Sequence, residues 1–328
     1  MIISAKAYSR AGLLGNPSDG YFGKTISVIV KNFEAEVELW QSPEIEIVAG
    51  IEDIPRFPTL QALTDDVALH GYYGGVRLIK ATAARFARTY LSGRQNIPNF
   101  TIRYRTNIPR QVGLGGSSAL ITAATRALSA FYNVPIDKLR TPTFVWQVET
   151  KELGLAAGLQ DRVIQTWEGA VYMDFDRVYF DANGYGKYEA IDVALLPPLF
   201  LAYRTDVAEL STVPHTNLRE RFNAGDKAVV DGMARCAALA CEAREVLLAG
   251  RKKDLGPLID KNFDVRCSMM TLDPVNVKMI EIARHYGAHA HFTGSGGAIL
   301  GIPPDGNACD QMAAELEKLN CRFLRPIF

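Results

Sequence analysis

An α+β fold in two units is what this sequence predicts, on three observations. Apolar and β-branched residues dominate the first third of the chain, at 2–8, 25–31, 34–40 and 45–49. Helical periodicity comes in groups, most densely over 215–249 (with breaks) and 274–286. A turn-rich, weakly periodic stretch at 176–196 separates two series of elements. Strands first and helices grouped argue against the regular βαβ alternation of a parallel sheet. The 328 residues are enough for about two ordinary domains. The boundary is placed within 185–198, which gives units 1–190 and 191–328.

Each element rests on a local pattern. Glu34-Ala35-Glu36-Val37-Glu38-Leu39-Trp40 alternates cleanly, so one face of that strand is expected to be buried. Phe100–Arg105 is another alternating strand, and Ala170–Phe175 reads as a third. Helices are predicted over 75–91, 116–131, 143–153 and 159–168. The second unit opens on the strand Leu199–Tyr203. Ala288–Phe292 and Ala298–Ile302 read as a strand pair around Thr293-Gly294-Ser295-Gly296-Gly297. A helix at 308–319 leads to a last strand, Cys321–Leu324.

The run at 109–119 carries the chemistry: Pro109-Arg110-Gln111-Val112-Gly113-Leu114-Gly115-Gly116-Ser117-Ser118-Ala119. Glycines lack Cβ atoms and let backbone N–H groups turn toward one anion. The helix that follows adds unpaired first-turn N–H groups and the positive end of its dipole. Together they make a phosphate cradle. The plainer alternative is a glycine-rich turn before a buried helix.

Two other nucleotide loops fit poorly. A dinucleotide fingerprint wants Gly or Ala where Ser118 stands. Gly20-Tyr21-Phe22-Gly23-Lys24-Thr25 ends like a Walker A loop, but the next residues, Ile26–Val30, are strand-like. A Walker A loop must open a helix.

Bulk properties narrow the partners. Lys+Arg and Asp+Glu are both 36, so the formal charge is zero and no basic stretch favours nucleic acid or a membrane. The cysteines number 5, without a Cys-x-x-Cys spacing, as expected of reduced thiols in a cytoplasmic protein. No apolar run approaches the roughly 20 residues of a membrane span. A small-molecule substrate is the expected partner. The oligomeric state is not legible.

Two further glycine segments flank the central one. Arg10–Gly20 lies early and Phe292–Ala298 lies late. In that order the three segments resemble the motif pattern of the GHMP small-molecule kinases. Within that family the chain resembles the plant-type glucuronokinases over nearly its whole length. The matching stretches are Gly12–Lys24, Gly71–Leu78, Ala157–Arg162 and Gly287–Ala298, with a weaker match at His215–Arg221. Galactokinases carry Gly-Glu-His where this chain has Gly15-Asn16-Pro17.

The resemblance implies an N-terminal unit like domain 2 of ribosomal protein S5 (ribosomal-protein-S5-domain-2-like) and a ferredoxin-like C-terminal unit. It implies ATP with Mg²⁺, and transfer of phosphate to the anomeric hydroxyl of D-glucuronate. Galacturonate, another sugar or a heptose phosphate are alternative acceptors, and a catalytically silent sensor is a further alternative. Residues 109–119 (Pro109, Gly113, Leu114, Gly115, Gly116, Ser117, Ser118, Ala119) would wrap the ATP phosphates. Ser118 and Glu149 would hold Mg²⁺. Asp161 would orient the acceptor hydroxyl and take its proton, with Arg10 facing that hydroxyl. Asp19, Lys24, Arg162, Arg219 and the loop Thr293, Gly294, Ser295 and Gly296 would line the acceptor site. Lys24 and Arg219 are both candidates for a substrate carboxylate.

Overall fold

Two long antiparallel strands frame the first unit. In the computed structural model, which describes residues 1–49, 74–206 and 218–328, β1 (Ile2–Leu14) pairs with β2 (Lys24–Gln41). The matched segments Gly71–Tyr73 and His215–Asn217 lie outside the described residues. The two strands expected at 25–31 and 34–40 are one. Their polar interruption, Lys31-Asn32, falls at a register shift between Tyr8 and Ser9. Backbone groups freed there find partners at the end of the chain: Lys31 N–H donates to Ile327 O at 2.7 Å, and Ile327 N–H donates to Asn32 Oδ1 at 2.8 Å. β1 also runs six residues beyond its expected end at Tyr8 (14 − 8 = 6). That extension is buried throughout, so alternation could not reveal it.

The first sheet has the order β3 (Glu46–Val48), β4 (Phe100–Thr106), β2, β5 (Ala170–Asp174), β6 (Lys187–Ile191), with β1 on the other edge of β2. The second is antiparallel, in the order β10 (Cys321–Leu324), β7 (Phe200–Arg204), β9 (Ala298–Ile302), β8 (His289–Phe292). Strands up to Ile191 join the first sheet and strands from Phe200 onward join the second.

Helices α1 (Gly75–Phe86), α2 (Gly116–Phe131), α3 (Thr141–Gln147) and α4 (Gln160–Trp167) belong to the first series. π-helical turns extend α1 over Ala87–Leu91 and α3 over Val148–Glu152. The second series holds α5 (Lys227–Leu248), α6 (Leu255–Met269), α7 (Pro274–His285) and α8 (Asn307–Glu317).

Three elements lie where none is expected. β6, with the short helix Arg177–Asn183, occupies the turn-rich stretch. α6 is hidden behind Leu255-Gly256-Pro257, which reads as a turn. Proline is tolerated there because first-turn N–H groups have no intrahelical partner. Gly256 is required sterically: a Cβ would stand 2.2 Å from the His289 ring.

The largest core cluster draws on both sheets. Leu13, Val28 and Leu120 meet Leu201 and Leu300 of the second sheet and Leu239 and Leu258 of α5 and α6. A second cluster, with Phe200, Phe292 and Ile280, sits within the second unit. Among the described residues no helix is long and apolar enough to cross a membrane.

Candidate active site

The three glycine segments, far apart in sequence, are stitched together through β1. Arg10 N–H donates to Leu114 O at 3.1 Å and Gly12 N–H to Thr293 O at 2.8 Å. Thr293 Oγ1 donates to Gly113 O at 3.0 Å. Gly113 and Gly115 have φ of 70° and 74°. These left-handed values favour glycine, and a Cβ on Gly113 would stand 3.0 Å from both Ser295 N and Gly296 O. The loop ends at α2, whose first turn has no side-chain cap. Its N–H groups are therefore open to an anion.

A chain of paired charges borders this cradle. Arg10 is 5% exposed, on the buried end of β1. It donates through Nη1 to Gly113 O at 2.5 Å and to Thr293 O at 3.2 Å, and through Nη2 to Asp161 Oδ2 at 2.6 Å. One guanidinium thus joins the phosphate loop, the third glycine segment and the carboxylate at the start of α4. Arg162 Nε donates to Glu149 Oε2 at 2.6 Å, and its Nη1 lies 3.6 Å from Asp161 Oδ2. Ser117 Oγ donates to Glu149 Oε1 at 3.1 Å. Burial pushes the Asp161 carboxyl up, but the Arg10 and Arg162 guanidiniums outweigh it and hold it below the usual carboxylate range.

Asp19 has the opposite character. It projects from the short turn Ser18–Tyr21 and accepts the Gln160 N–H at 3.2 Å. A Cβ on Gly158 would fall 1.9 Å from its Oδ2, so the carboxylate needs that glycine. Burial and the nearby Asp161 charge push Asp19 up to about 6. A carboxyl raised on folding binds its proton more tightly in the native state, so stability falls as pH rises from about 4 toward 6. Asp19→Asn is therefore expected to raise the melting temperature at pH 7.5, with the advantage shrinking as pH falls below about 6. Thermal scans from pH 4.5 to 8 would check this, and an unchanged gap across that range would refute it.

These side chains line a cleft of about 570 Å³. Arg10, Asp161, Arg162, Glu149, Ser117, Asp19, Arg219, Gly294 and Ser295 all border it, so the cleft gathers residues named from sequence in all three glycine segments and in α4. Thr293 and Gly296 complete the loop behind Gly294. Pro109 and Leu114 shape the central loop, and Ala119 is fully buried in α2.

Two residues are placed otherwise. The Ser118 hydroxyl is fully buried and donates to Gly115 O at 3.1 Å, while Ser117 is the serine beside Glu149. Lys24 pairs with Asp174 at 3.4 Å on the β2–β5 pair and does not border the cleft.

Other polar residues at the site escaped notice in the sequence. Asn262 Oδ1 accepts Gly15 N–H at 2.7 Å, and its Nδ2 donates to Asn16 O at 3.1 Å. Arg266, one turn later on α6, donates through Nη1 to Asn16 Oδ1 at 2.6 Å and to Gly294 O at 2.9 Å. Gln165 Nε2 donates to Gly115 O at 2.7 Å. The one signal that could have exposed Asn262 and Arg266 is their i,i+4 spacing, two polar groups on one helix face.

Comparison with known proteins agrees with this geometry. The GHMP kinases N terminal domain matches residues 77–169. The chain is 42% identical to "Glucuronokinase 1" of Arabidopsis thaliana over 93% of its own length and 86% of that protein's. It is 43% identical to "Probable glucuronokinase 2" of the same plant, over 93% and 85%. The phosphomevalonate kinase of Streptococcus pneumoniae, solved with phosphomevalonate and AMPPNP, shares the fold at a TM-score of 0.75 and 15% identity, covering 98% of this chain and 99% of that one. The family model and these two plant relatives mark the chain as a kinase of small molecules. The chain belongs to the GHMP kinase family, whose members are ATP-dependent kinases.

Proposed function

We propose that this chain is an ATP-dependent sugar kinase that phosphorylates the anomeric hydroxyl of D-glucuronate, giving glucuronate 1-phosphate. Two relatives above 40% identity carry the glucuronokinase name, which supports the acceptor. The observation that carries the chemistry is the Arg10 bridge, one guanidinium that ties Asp161 to the Gly113 turn of the phosphate loop. In this reading residues 1–190 carry the phosphate loop and Asp161. Residues 191–328 carry the third glycine segment and α6.

The loop N–H groups and the α2 N-terminus bind the phosphates and need no rearrangement to do so. Asp161 accepts a hydrogen bond from the acceptor hydroxyl, aims it at the terminal phosphate and takes its proton as the bond to phosphorus forms. A lowered carboxyl is a weak base, which suits a loose transition state where positioning and charge neutralisation dominate. Arg10 fixes the Asp161 carboxylate and adds positive charge beside the transferring group. Asp19 accepts hydrogen bonds from sugar hydroxyls.

The donor set beside the loop suits magnesium, which takes oxygen ligands and keeps several waters. Glu149 Oε1 with Ser117 Oγ, rather than Ser118, would hold the ion. Bound with ATP, it would supply charge neutralisation at the phosphates.

An acceptor panel with ATP and Mg²⁺ tests the proposal. Glucuronate is expected to be turned over best among uronates, neutral hexoses and heptose phosphates. Turnover confined to neutral sugars would remove the glucuronate assignment. Nucleotide binding without turnover of any acceptor would remove the kinase assignment.

A further inference from the structure

Four guanidiniums border the cleft, at Arg10, Arg162, Arg219 and Arg266. The protein neutralises two of them, Arg10 with Asp161 at 2.6 Å and Arg162 with Glu149 at 2.6 Å. Arg266 is different. It is 3% exposed, and both acceptors of its Nη1 are uncharged oxygens, Asn16 Oδ1 and Gly294 O. Its Nε is buried without a hydrogen-bond partner. No carboxylate among the described residues pairs with it. Among the described residues Asp19 is the one carboxylate whose charge reaches it, and the Phe292 ring centre lies 5.4 Å from its guanidinium carbon. Burial draws it down to about 10, so it is still cationic at neutral pH.

A buried charge without a counter-charge is costly. Here that charge is held in place by two directed hydrogen bonds at the wall of the acceptor cleft. The same glycine segment seats both inner guanidiniums: Arg10 donates to Thr293 O and Arg266 to Gly294 O, one residue apart. Arg10, the cation with a carboxylate, and Arg266, the cation without one, thus share this segment at the cleft, and Arg266 Nε and Nη2 make no hydrogen bond within the described residues.

We propose that Arg266 is the receptor for the acceptor's carboxylate and selects uronates over neutral sugars. The inference rests on the glucuronate reading above. A planar carboxylate matches two guanidinium N–H groups at once. A neutral hexose would leave the buried cation unpaired and is rejected for that reason. Arg219 fits the role less well, since it is exposed at the rim with its guanidinium 4.3 Å over the Tyr21 ring.

Two experiments test this. The first compares kcat/KM for D-glucuronate and its neutral analogue D-glucuronamide in the unaltered enzyme, Arg266→Lys and Arg266→Met. The glucuronate-to-glucuronamide ratio is expected to fall about 100-fold in Arg266→Met, and Arg266→Lys is expected to recover part of it. An equal loss on both acceptors would overturn the assignment of Arg266 and leave the glucuronate reading standing. Failure of the unaltered enzyme to use any uronate would overturn that reading itself. The second experiment needs no substitution. Crystals of the unaltered enzyme soaked with D-glucuronate are expected to show the carboxylate about 3 Å from Arg266 Nε or Nη2. A carboxylate lying against Arg219 would overturn the proposal.

Discussion

Asp161→Asn is expected to lower kcat about 10²–10⁴-fold while leaving nucleotide affinity within about threefold. The substitution is nearly isosteric and leaves an oxygen for the Arg10 Nη2 donor, which now stands 2.6 Å from Asp161 Oδ2. The phosphate loop keeps every hydrogen bond it makes, because Asp161 touches that loop only through Arg10. What disappears is the negative charge and the site for the leaving proton. Single-turnover kinetics would measure the chemical step and calorimetry with a non-hydrolysable nucleotide would measure binding. Near-normal turnover would exclude Asp161 as the base. The variant also removes a like charge from beside Asp19, so the Asp19 carboxyl is expected to titrate lower than in the unaltered protein.

Arg10→Gln is expected to be the more damaging change to the fold. It strips a buried ion pair of one partner, which costs about 3–5 kcal/mol. It also leaves the Gly113 carbonyl with Thr293 Oγ1 as its one remaining side-chain donor among the described residues. Asp161 would lose the first of the two charges that hold it down, so its carboxyl would rise. The residual activity should then climb with pH, following deprotonation of Asp161. The double variant Arg10→Gln/Asp161→Asn should be more stable than Arg10→Gln alone, since no buried carboxylate is left unpaired, yet less active still and without the climb with pH. Chemical denaturation of the three variants would show the recovery. A double variant less stable than Arg10→Gln would mean that the pair's charges do not govern its energetics.

Legibility in the sequence followed how local each cause is. Phe100–Thr106 and Ala170–Asp174 were readable because one buried face imposes alternation on a strand. The central loop was readable because its chemistry needs neighbouring residues: glycines for left-handed backbone, then the start of a helix. Ser117 and Ser118 could not be told apart, because successive helical residues point about 100° apart. Which of the two faces Glu149 depends on how α2 is rotated against its neighbours. α6 was missed because Gly256 and Pro257 look like a turn, and Gly256 is explained by a ring 33 residues further on (289 − 256 = 33). Arg266 was missed for a related reason. Its partner Asn16 is 250 residues away in sequence, and no local pattern marks a cation left without a counter-charge.

The core that fuses Leu13 and Val28 with Leu201, Leu239 and Leu300 has a bearing on how such a chain can change over time. The half that supplies the phosphate loop and the half that supplies Arg266 are not interchangeable modules. A recombined gene that paired one with a foreign counterpart would have to match side-chain shapes along the whole seam. New acceptor preferences are therefore more accessible through point changes around the existing pocket than through exchange of halves.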